Sequence, residues 1–355
     1  MFVLYDKETM KIPVKVWLEN EKELEASCRE QALHLANLPF LAGPVCLMPD
    51  THAGMGMPIG GVIASEDVII PNAVGVDIGC GMAYTETGIR ADDLRQIMTG
   101  SGNLVQAIIG DIMRNVPVGF AHHKQPMPSY VLDRALDEMD KYEKDGELLG
   151  QLDAGYFQIG TLGGGNHFIE LQEDDEGFLS VMIHSGSRHF GKSVCDYFHQ
   201  KARALNQRWY SQVPDSYRLA FLPVDSPEGQ QYLNWMQLSM DFAAENREKM
   251  MLAVIPGAMG SYSYVVMGLG NEDSFCSSSH GAGRRYSRKG AMEAFTCEEV
   301  ILDLERQGVV LGKKGKADVA EESRFAYKDI EIVMENQKDL VIPVKRLKTI
   351  GVVKG

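Results

Sequence analysis

Along this chain, short apolar segments repeatedly run into glycine-rich turns that carry an aspartate, a cysteine or a histidine. Val45-Cys46-Leu47-Met48 leads into Pro49-Asp50-Thr51-His52-Ala53-Gly54-Met55-Gly56, and Val68–Val76 runs into Asp77-Ile78-Gly79-Cys80-Gly81. Val181-Met182-Ile183 leads into His184-Ser185-Gly186-Ser187-Arg188-His189. In Leu162-Gly163-Gly164-Gly165-Asn166-His167-Phe168-Ile169-Glu170 the order is reversed, with the glycines first and an alternating segment after them. Apolar runs of this length, bounded by turn residues, read as strands. Polar side chains at their ends are candidates for one shared centre.

The chemistry of those side chains narrows the centre. Asp77 and Cys80, three apart in a glycine turn, can point at one ion, since a thiolate and a carboxylate are both metal ligands. His167 and His184, each at a strand end, can join them. By ligand softness, a thiolate with imidazoles favours zinc. Taken singly, each residue also fits a plainer role, a buried thiol acting as a small hydrophobe or a hydrogen-bonded core histidine. Asp50 and His52 can orient a ligand of such a site or simply cap their loop. The glycines before His167 form a backbone nest suited to anions.

A different chemistry is written in Ser277-Ser278-Ser279-His280-Gly281-Ala282-Gly283-Arg284. The glycines let backbone approach a ligand, the serines donate hydrogen bonds, and the Arg284 fork matches phosphate oxygens. His280 is then a ligand-binding base or a nucleophile that carries a phosphoryl group. An isolated turn of this kind also accommodates a histidine that is only hydrogen-bonded.

Composition limits the classes available. With 355 residues the chain can form two domains or one large α/β unit, at ~150 residues per domain. Apolar residues make up 45% and charged residues 24%, which are globular values. A net charge of −14 argues against a protein that coats nucleic acid generally, although basic residues gather at Arg188 and Lys192 and again at Arg284, Arg285, Arg288 and Lys289. No apolar run is long enough to span a bilayer, and the N-terminus lacks the order of a signal peptide. The six cysteines (28, 46, 80, 195, 276 and 297) show no CxxC pairing. Together these features predict a cytoplasmic protein with reduced thiols.

The remaining elements follow from periodicity. Lys11–Trp17 alternates as a half-buried strand, and Glu21–Leu38 has helical spacing ended by Pro39. An apolar segment covers Gly60–Ser65, helical periodicity is expected over Leu94, Ile97, Val105, Ile108, Ile109 and Ile112, and a charged helix near Val131–Leu149. His122 and His123 read as loop residues beside the Pro126–Pro128 break. A long helix is expected over Gln230–Met251, then a turn at Ile255-Pro256-Gly257 into a strand through Val266. Thr296 and Glu299 form a capping box, Lys313, Lys314 and Lys316 mark a loop, and a last helix is expected around Ala326–Gln337.

Taken together, these motifs resemble the RtcB family of GTP-dependent RNA ligases. The match is carried by Met48–Gly54, Gly75–Gly81, Gly163–Glu170, His184–Arg188, Ile255–Gly260, Ser279–Arg284, Ala326-Tyr327-Lys328-Asp329-Ile330 and the terminal Lys354-Gly355. The resemblance implies a single large α+β domain over residues 1–355, with sheets flanked by helices around a two-manganese and nucleotide site. It implies joining of RNA 2′,3′-cyclic-phosphate or 3′-phosphate ends to 5′-hydroxyl ends, in tRNA splicing or RNA repair, through a guanylylated histidine formed from GTP.

By the same resemblance His280 is the nucleophile. Cys80, His167 and His184 are ligands of one manganese, and Asp77 and Cys80 contribute to a second. Asn166, Arg188 and Arg284 hold phosphates, Glu170, Tyr327 and Lys354 form the guanine pocket, and Ala282 belongs to the nucleotide site. The family also points to archease as a candidate activating partner.

The chain departs from the pattern at one place. Between Asn246-Arg247-Glu248-Lys249 and Ile255, family members carry several dozen residues that include a histidine ligand of the second manganese and an asparagine that contacts the nucleotide phosphate. Ala258 stands where a serine is usual. Two readings follow, a ligase, or a protein that binds guanine nucleotide or RNA ends without joining them.

Overall fold

The computed structural model describes residues 1–100, 102–142, 144–253, 261–313 and 319–354. The expected turn at Ile255–Gly257, Ala258, Lys314, Lys316 and Gly355 lie outside the described residues. Two sheets carry the molecule. The smaller has β1 (Phe2–Leu4), β2 (Val14–Val16), β3 (Val45–His52) and β4 (Ile59–Val62) side by side in that order. Helix α1 (Ala26–Ala36) packs against it, burying Cys28, Ala32 and Leu35 beside Val14, Val16, Val45 and Leu47.

The larger sheet is mixed. Its strands are β5 (Gly81–Arg90), β6 (Phe168–Glu173), β7 (Phe178–Ser185), β8 (Tyr262–Gly268), β9 (Val310–Gly312) and β10 (Val341–Lys354). They lie in the order β8-β10-β6-β7-β5, with β9 parallel on β10. Helices α2 (Leu104–Asn115), α3 (Tyr130–Asp137), α4 (Gly146–Gln158), α5 (Arg188–Arg208) and α6 (Pro227–Ala253) come from the first two thirds of the chain. Helices α7 (Arg288–Ala294), α8 (Cys297–Arg306) and α9 (Ile330–Asn336) come from the last third.

Register explains why this sheet can be both core and site. Strand side chains alternate between faces, so the cross-strand rung Ala83, Ile183, Ile169 and Val353 points one way. Ile183, Ile169 and Val353 pack there on Val105, Ile109 and Ile112 of α2. The rung one residue on, Met82, His184, Phe168 and Lys354, points the other way. That opposite face forms the wall of a large cleft. A one-residue slip would exchange the two sets.

Several expectations need correction. Val68–Val76 is not one apolar segment, because Pro71 fixes φ at a helix start and splits it into Val68–Ile69 and the helical turn Pro71–Val74. The expected helix near Val131–Leu149 is two helices, α3 and α4, the second started by Asp145, whose side chain accepts from Glu147 N at 2.8 Å. The last helix begins at Ile330 with Asp329 as its cap. Ala326 and Lys328 instead pair with the loop after His280, through Arg285 N to Ala326 O at 2.8 Å and Lys328 N to Gly283 O at 2.9 Å. Nothing is assigned by the sequence reading between His189 and Gln230, where the structure has the 21-residue α5. The capping box at Thr296 and Glu299 is present in both directions.

Helix α6 is the longest helix described and anchors the rest. Its Glu245, fully buried, accepts from Ser129 Oγ at 2.6 Å, Tyr130 N at 3.1 Å and Val131 N at 3.2 Å, so it satisfies donors at the start of α3. Truncating it strands those donors in the interior. Glu245→Ala is expected to lower folding stability by about 3 kcal/mol, read as a drop in the denaturant midpoint, with Glu245→Gln costing less.

Candidate functional site

Three chain segments bring Cys80, His167 and His184 together. Cys80 sits at the end of a tight turn closed by its own N–H to Asp77 O at 2.9 Å. His167 immediately precedes β6, and His184 lies near the end of β7. Cys80 Sγ is 3.6 Å from His167 Nε2 and 3.2 Å from His184 Nε2, and the three ligand atoms all lie within 4.8 Å of one another. A sulfur and a nitrogen on one tetrahedral ion, at ~2.3 and ~2.1 Å, stand roughly 3.6 Å apart. The donor set therefore fits a divalent cation. Asp77 Oδ2 lies 2.9 Å from the same His167 nitrogen, so the carboxylate borders the cluster from the other side.

The groups of the cluster are shifted in different directions. Desolvation, then the nearby His167 and His280, pull His184 down to about 3, leaving its imidazole neutral. Burial, reinforced by Asp77, pushes the Cys80 thiol up to about 12. Desolvation pushes Asp77 upward, but His167, Arg188 and Ser187 outweigh it and hold the carboxyl below its ordinary range. His167 Nδ1 faces Leu162 O at 3.1 Å, an arrangement that leaves Nε2 as the ligating nitrogen.

Behind the cluster, α6 and α5 supply a scaffold. Asn246 donates to Thr161 O, Ser185 Oγ and Gly186 O, each at 3.1 Å, and accepts from Gly160 N at 2.7 Å and Thr161 N at 3.1 Å. Arg247 Nη1 donates to Gly79 O and Ser185 O, both at 2.8 Å, so one guanidinium ties the Cys80 turn to the His184 strand. Arg188, at the start of α5, places Nη1 3.1 Å from His167 Nδ1. A Cβ on Gly163, whose φ is +88°, would stand 1.8 Å from that guanidinium, so only glycine fits there. Arg188 lies beneath the cleft, against the cluster, rather than among the residues lining the open space.

His280 stands across the cleft from His184, with ring centroids 6.4 Å apart. Its Nδ1 lies 3.0 Å from Oδ2 of the buried Asp50 at the end of β3. The contact with the Asp50 carboxylate raises the His280 pKa above 6.5, against the opposing effect of desolvation. Lys328 staples the two segments by donating Nζ to Pro49 O and Thr51 O, both at 2.8 Å. Gly283, with φ +73°, passes so close to Asp50 that a Cβ would sit 2.4 Å from its carbonyl oxygen. Asp50 thus orients the imidazole, and His52 turns its Nδ1 back to Asp50 O at 2.8 Å.

A third group surrounds the buried Glu322. Its Oε2 accepts from Tyr327 Oη at 2.6 Å and Lys354 Nζ at 2.7 Å, and its Oε1 from Arg284 Nη1 at 3.0 Å. Arg284 also donates to Tyr327 Oη at 2.8 Å, to Tyr286 O at 3.1 Å and to Glu321 O. Two of these bonds serve the hub and two hold neighbouring backbone carbonyls. Glu170 is fully buried, its pKa driven well up by desolvation, and its Oε1 has no hydrogen-bond partner among the described residues.

These groups share one cleft of about 2150 Å³, lined by Asp50, His184, Glu170, His280, Tyr327 and Lys354 among others. Asn166 and Ala282 line it too, Asn166 in an exposed position. Sequence reasoning did not single out Glu322, the linking roles of Asn246 and Arg247, or the Lys328 staple. Their roles depend on partners distant in the chain, Asn246 on Thr161 and Ser185, Arg247 on Gly79, Lys328 on Pro49 and Thr51, and Glu322 on Arg284 and Lys354.

The family model described as tRNA-splicing ligase RtcB matches this chain over residues 31–254 and 251–355. The chain belongs to the RtcB family. The RNA-splicing ligase RtcB of Escherichia coli K12 is 32% identical over 412 aligned positions that cover 98% of each chain. The tRNA-splicing ligase RtcB of Nanoarchaeum equitans is 27% identical over 98% of this chain and 96% of its own length. The RNA-splicing ligase RtcB of Mycobacterium tuberculosis H37Rv is 29% identical over 92% and 100%. The alignment to the Escherichia coli protein is longer than the 355 residues of this chain, and the family match breaks at 251–254, the end of α6. Part of the Escherichia coli relative therefore has no counterpart in this chain.

Two outcomes are expected. Asp50→Asn should bring the His280 titration, followed by NMR of the ring, below its native value and below 6.5, since desolvation then acts alone. Because Cys80 must lose a proton to ligate, cation affinity should rise with pH and fall at least tenfold in Cys80→Ala, measured by calorimetric titration.

Proposed function

We propose that this chain is an RNA ligase joining RNA 2′,3′-cyclic-phosphate or 3′-phosphate ends to 5′-hydroxyl ends through guanylylated His280, in tRNA splicing or RNA repair, with residues 1–355 acting as one domain. The observation that carries the reading is the position of His280. It is gripped by Asp50 and faces a cation-ligand cluster on one side of a cleft that also holds the Glu322, Tyr327 and Lys354 group.

With Nδ1 turned to Asp50, Nε2 is the nitrogen left to attack. Its lone pair forms a bond to the α-phosphorus of GTP as the bond to the β-phosphate oxygen breaks and pyrophosphate leaves. An RNA 3′-phosphate oxygen then takes the guanylate, the N–P bond breaks, and His280 is regenerated. Attack by the 5′-hydroxyl on the RNA phosphorus expels GMP and releases a proton. A 2′,3′-cyclic end is first opened by water.

Phosphoryl transfers of this kind depend on positioning and charge neutralisation. Cys80, His167 and His184 would hold a divalent cation, manganese by the family resemblance, and when bound it would supply that neutralisation. Asp77 and Cys80 are the residues present for a second ion. Asn166 at the cleft, Arg188 beneath it and the remaining N–H of Arg284 are the candidates for phosphate contacts. Glu170, Tyr327 and Lys354 bind guanine, the buried unpaired Oε1 of Glu170 being suited to a guanine N–H, with Ala282 beside the base.

A second reading, binding of guanine nucleotide or RNA ends without joining, is favoured by one observation, the segment lacking after α6. Incubation with α-labelled GTP and Mn²⁺ separates the two. Covalent label on the native chain, absent from His280→Ala, supports the ligase. GTP bound without covalent label leaves the second reading.

A further inference from the structure

The cleft holds more than the groups assigned to nucleotide and cation. Its volume of about 2150 Å³ is roughly twice the upper end of the ~300–1,000 Å³ usual for small-molecule sites. Beyond the Glu322 hub its wall is an aromatic row. The Tyr286 and Phe295 ring centroids lie 5.5 Å apart at 78°, and those of Phe295 and Phe325 lie 6.2 Å apart at 36°. Phe295 is the anchored middle rung, packed against the buried cluster of Val300, Leu304 and Val352. The outer rungs are open, Tyr286 being 43% and Phe325 53% exposed.

Cations flank this row. The Arg324 guanidinium lies 4.8 Å above the Phe325 ring and is held there by Asp303, at 2.8 and 2.9 Å. Arg285 and Arg306 also line the cleft, exposed, and neither has an ion-pair partner among the described residues. In a chain of net charge −14, exposed apolar rings beside unpaired guanidinium groups complement a ligand that is flat and apolar in one part and anionic in another. Unpaired bases on a phosphate backbone have that composition, and stacking on aromatic rings is tolerant of base identity.

We propose that Tyr286, Phe295 and Phe325 form a stacking platform for unpaired bases of an RNA strand, with Arg285 and Arg306 on its phosphates. The platform leads the strand along the cleft towards His280 and selects single-stranded ends over paired ones. It rests on the RNA-ligase reading and adds to it the form of substrate preferred.

The test uses the full chain and two probes of 12 nucleotides, a single-stranded RNA bearing a 3′-phosphate and a fully paired duplex of the same sequence. The native chain should bind the single strand more tightly, with an affinity that falls steeply with salt. Tyr286→Ala and Phe325→Ala should each weaken single-strand binding roughly 5- to 100-fold, with GTP labelling of His280 as the check on folding. Phe325→Trp should retain binding and Phe325→Leu should not, because a role in packing alone would be met by leucine. Unchanged binding in the Tyr286→Ala, Phe325→Ala double variant, full binding in Phe325→Leu, or no preference for the single strand overturns the platform. Absence of GTP labelling from the native chain sinks the ligase reading instead, and the platform is then judged by the RNA titrations alone.

Discussion

The functional centre depends on how the polar ends of buried strands and turns are satisfied. The segments that carry Cys80, His167 and His184 lead into or lie on the paired strands β5, β6 and β7, and beyond that pairing backbone carbonyls remain turned inward. Asn246 and Arg247, neighbours on α6, take up those of Thr161, Ser185, Gly186 and Gly79. An intramolecular hydrogen bond contributes only about 1 kcal/mol net, but leaving a buried carbonyl unpaired costs more than that. The cheapest arrangement for the backbone is therefore also the one that brings a sulfur and two imidazole nitrogens within 4.8 Å. Preorganisation of the ligand cluster is a by-product of ordinary satisfaction of the main chain.

Electrostatics divide the cleft into distinct environments. At the cation cluster, desolvation keeps His184 neutral and the Cys80 thiol protonated, so the cluster gains a strong ligand set only by losing a proton. At His280, a buried carboxylate raises the imidazole pKa and fixes which nitrogen faces outward. Around Glu322, desolvation pushes the carboxyl upward, but Lys354, Tyr327 and Arg284 outweigh it and hold it below its ordinary range. At Glu170 desolvation outweighs the opposing effects of Lys354 and Ser263, and its pKa rises. Two carboxyl groups in one cleft are thus held in opposite states by their neighbours, a difference suited to donating at one point and accepting at another.

The site was partly legible in the sequence. His184 is announced by a strand that ends in small residues, His167 by glycines ahead of a strand and Cys80 by its glycine turn, and the structure brings them together. His280 is announced by its glycine turn. For Asp50 the sequence allows an orienting group for a metal ligand or a loop cap, and the structure sets it against His280 instead. Its alternatives could not be separated from sequence, because the partner is more than two hundred residues away. Glu322, on a short turn with no periodic pattern, gave no signal at all. The helix Arg188–Arg208 is separated by only two residues from the end of a strand, with no side-chain cap at Ser187 to mark its start. The loop after His280 captures Ala326 and Lys328 by backbone pairing, a non-local competition that shortens the last helix.

By itself the sequence determined the elements with strong local causes, the two-sided apolar strands, the Thr296 capping box, the glycines that permit close approach, and the residue types able to hold a cation and carry a phosphoryl group. Tertiary structure decided what those residues face. Strand register selects the rung of Met82, His184, Phe168 and Lys354 for the cleft over the rung of Ala83, Ile183, Ile169 and Val353. Packing of loops and short helices sets the aromatic row of Tyr286, Phe295 and Phe325 along the wall of the same cleft. The reason is physical: propensity and turn chemistry act over a few residues, while desolvation, charge pairing and hydrogen-bond satisfaction act between whichever groups the packed chain brings within a few ångströms.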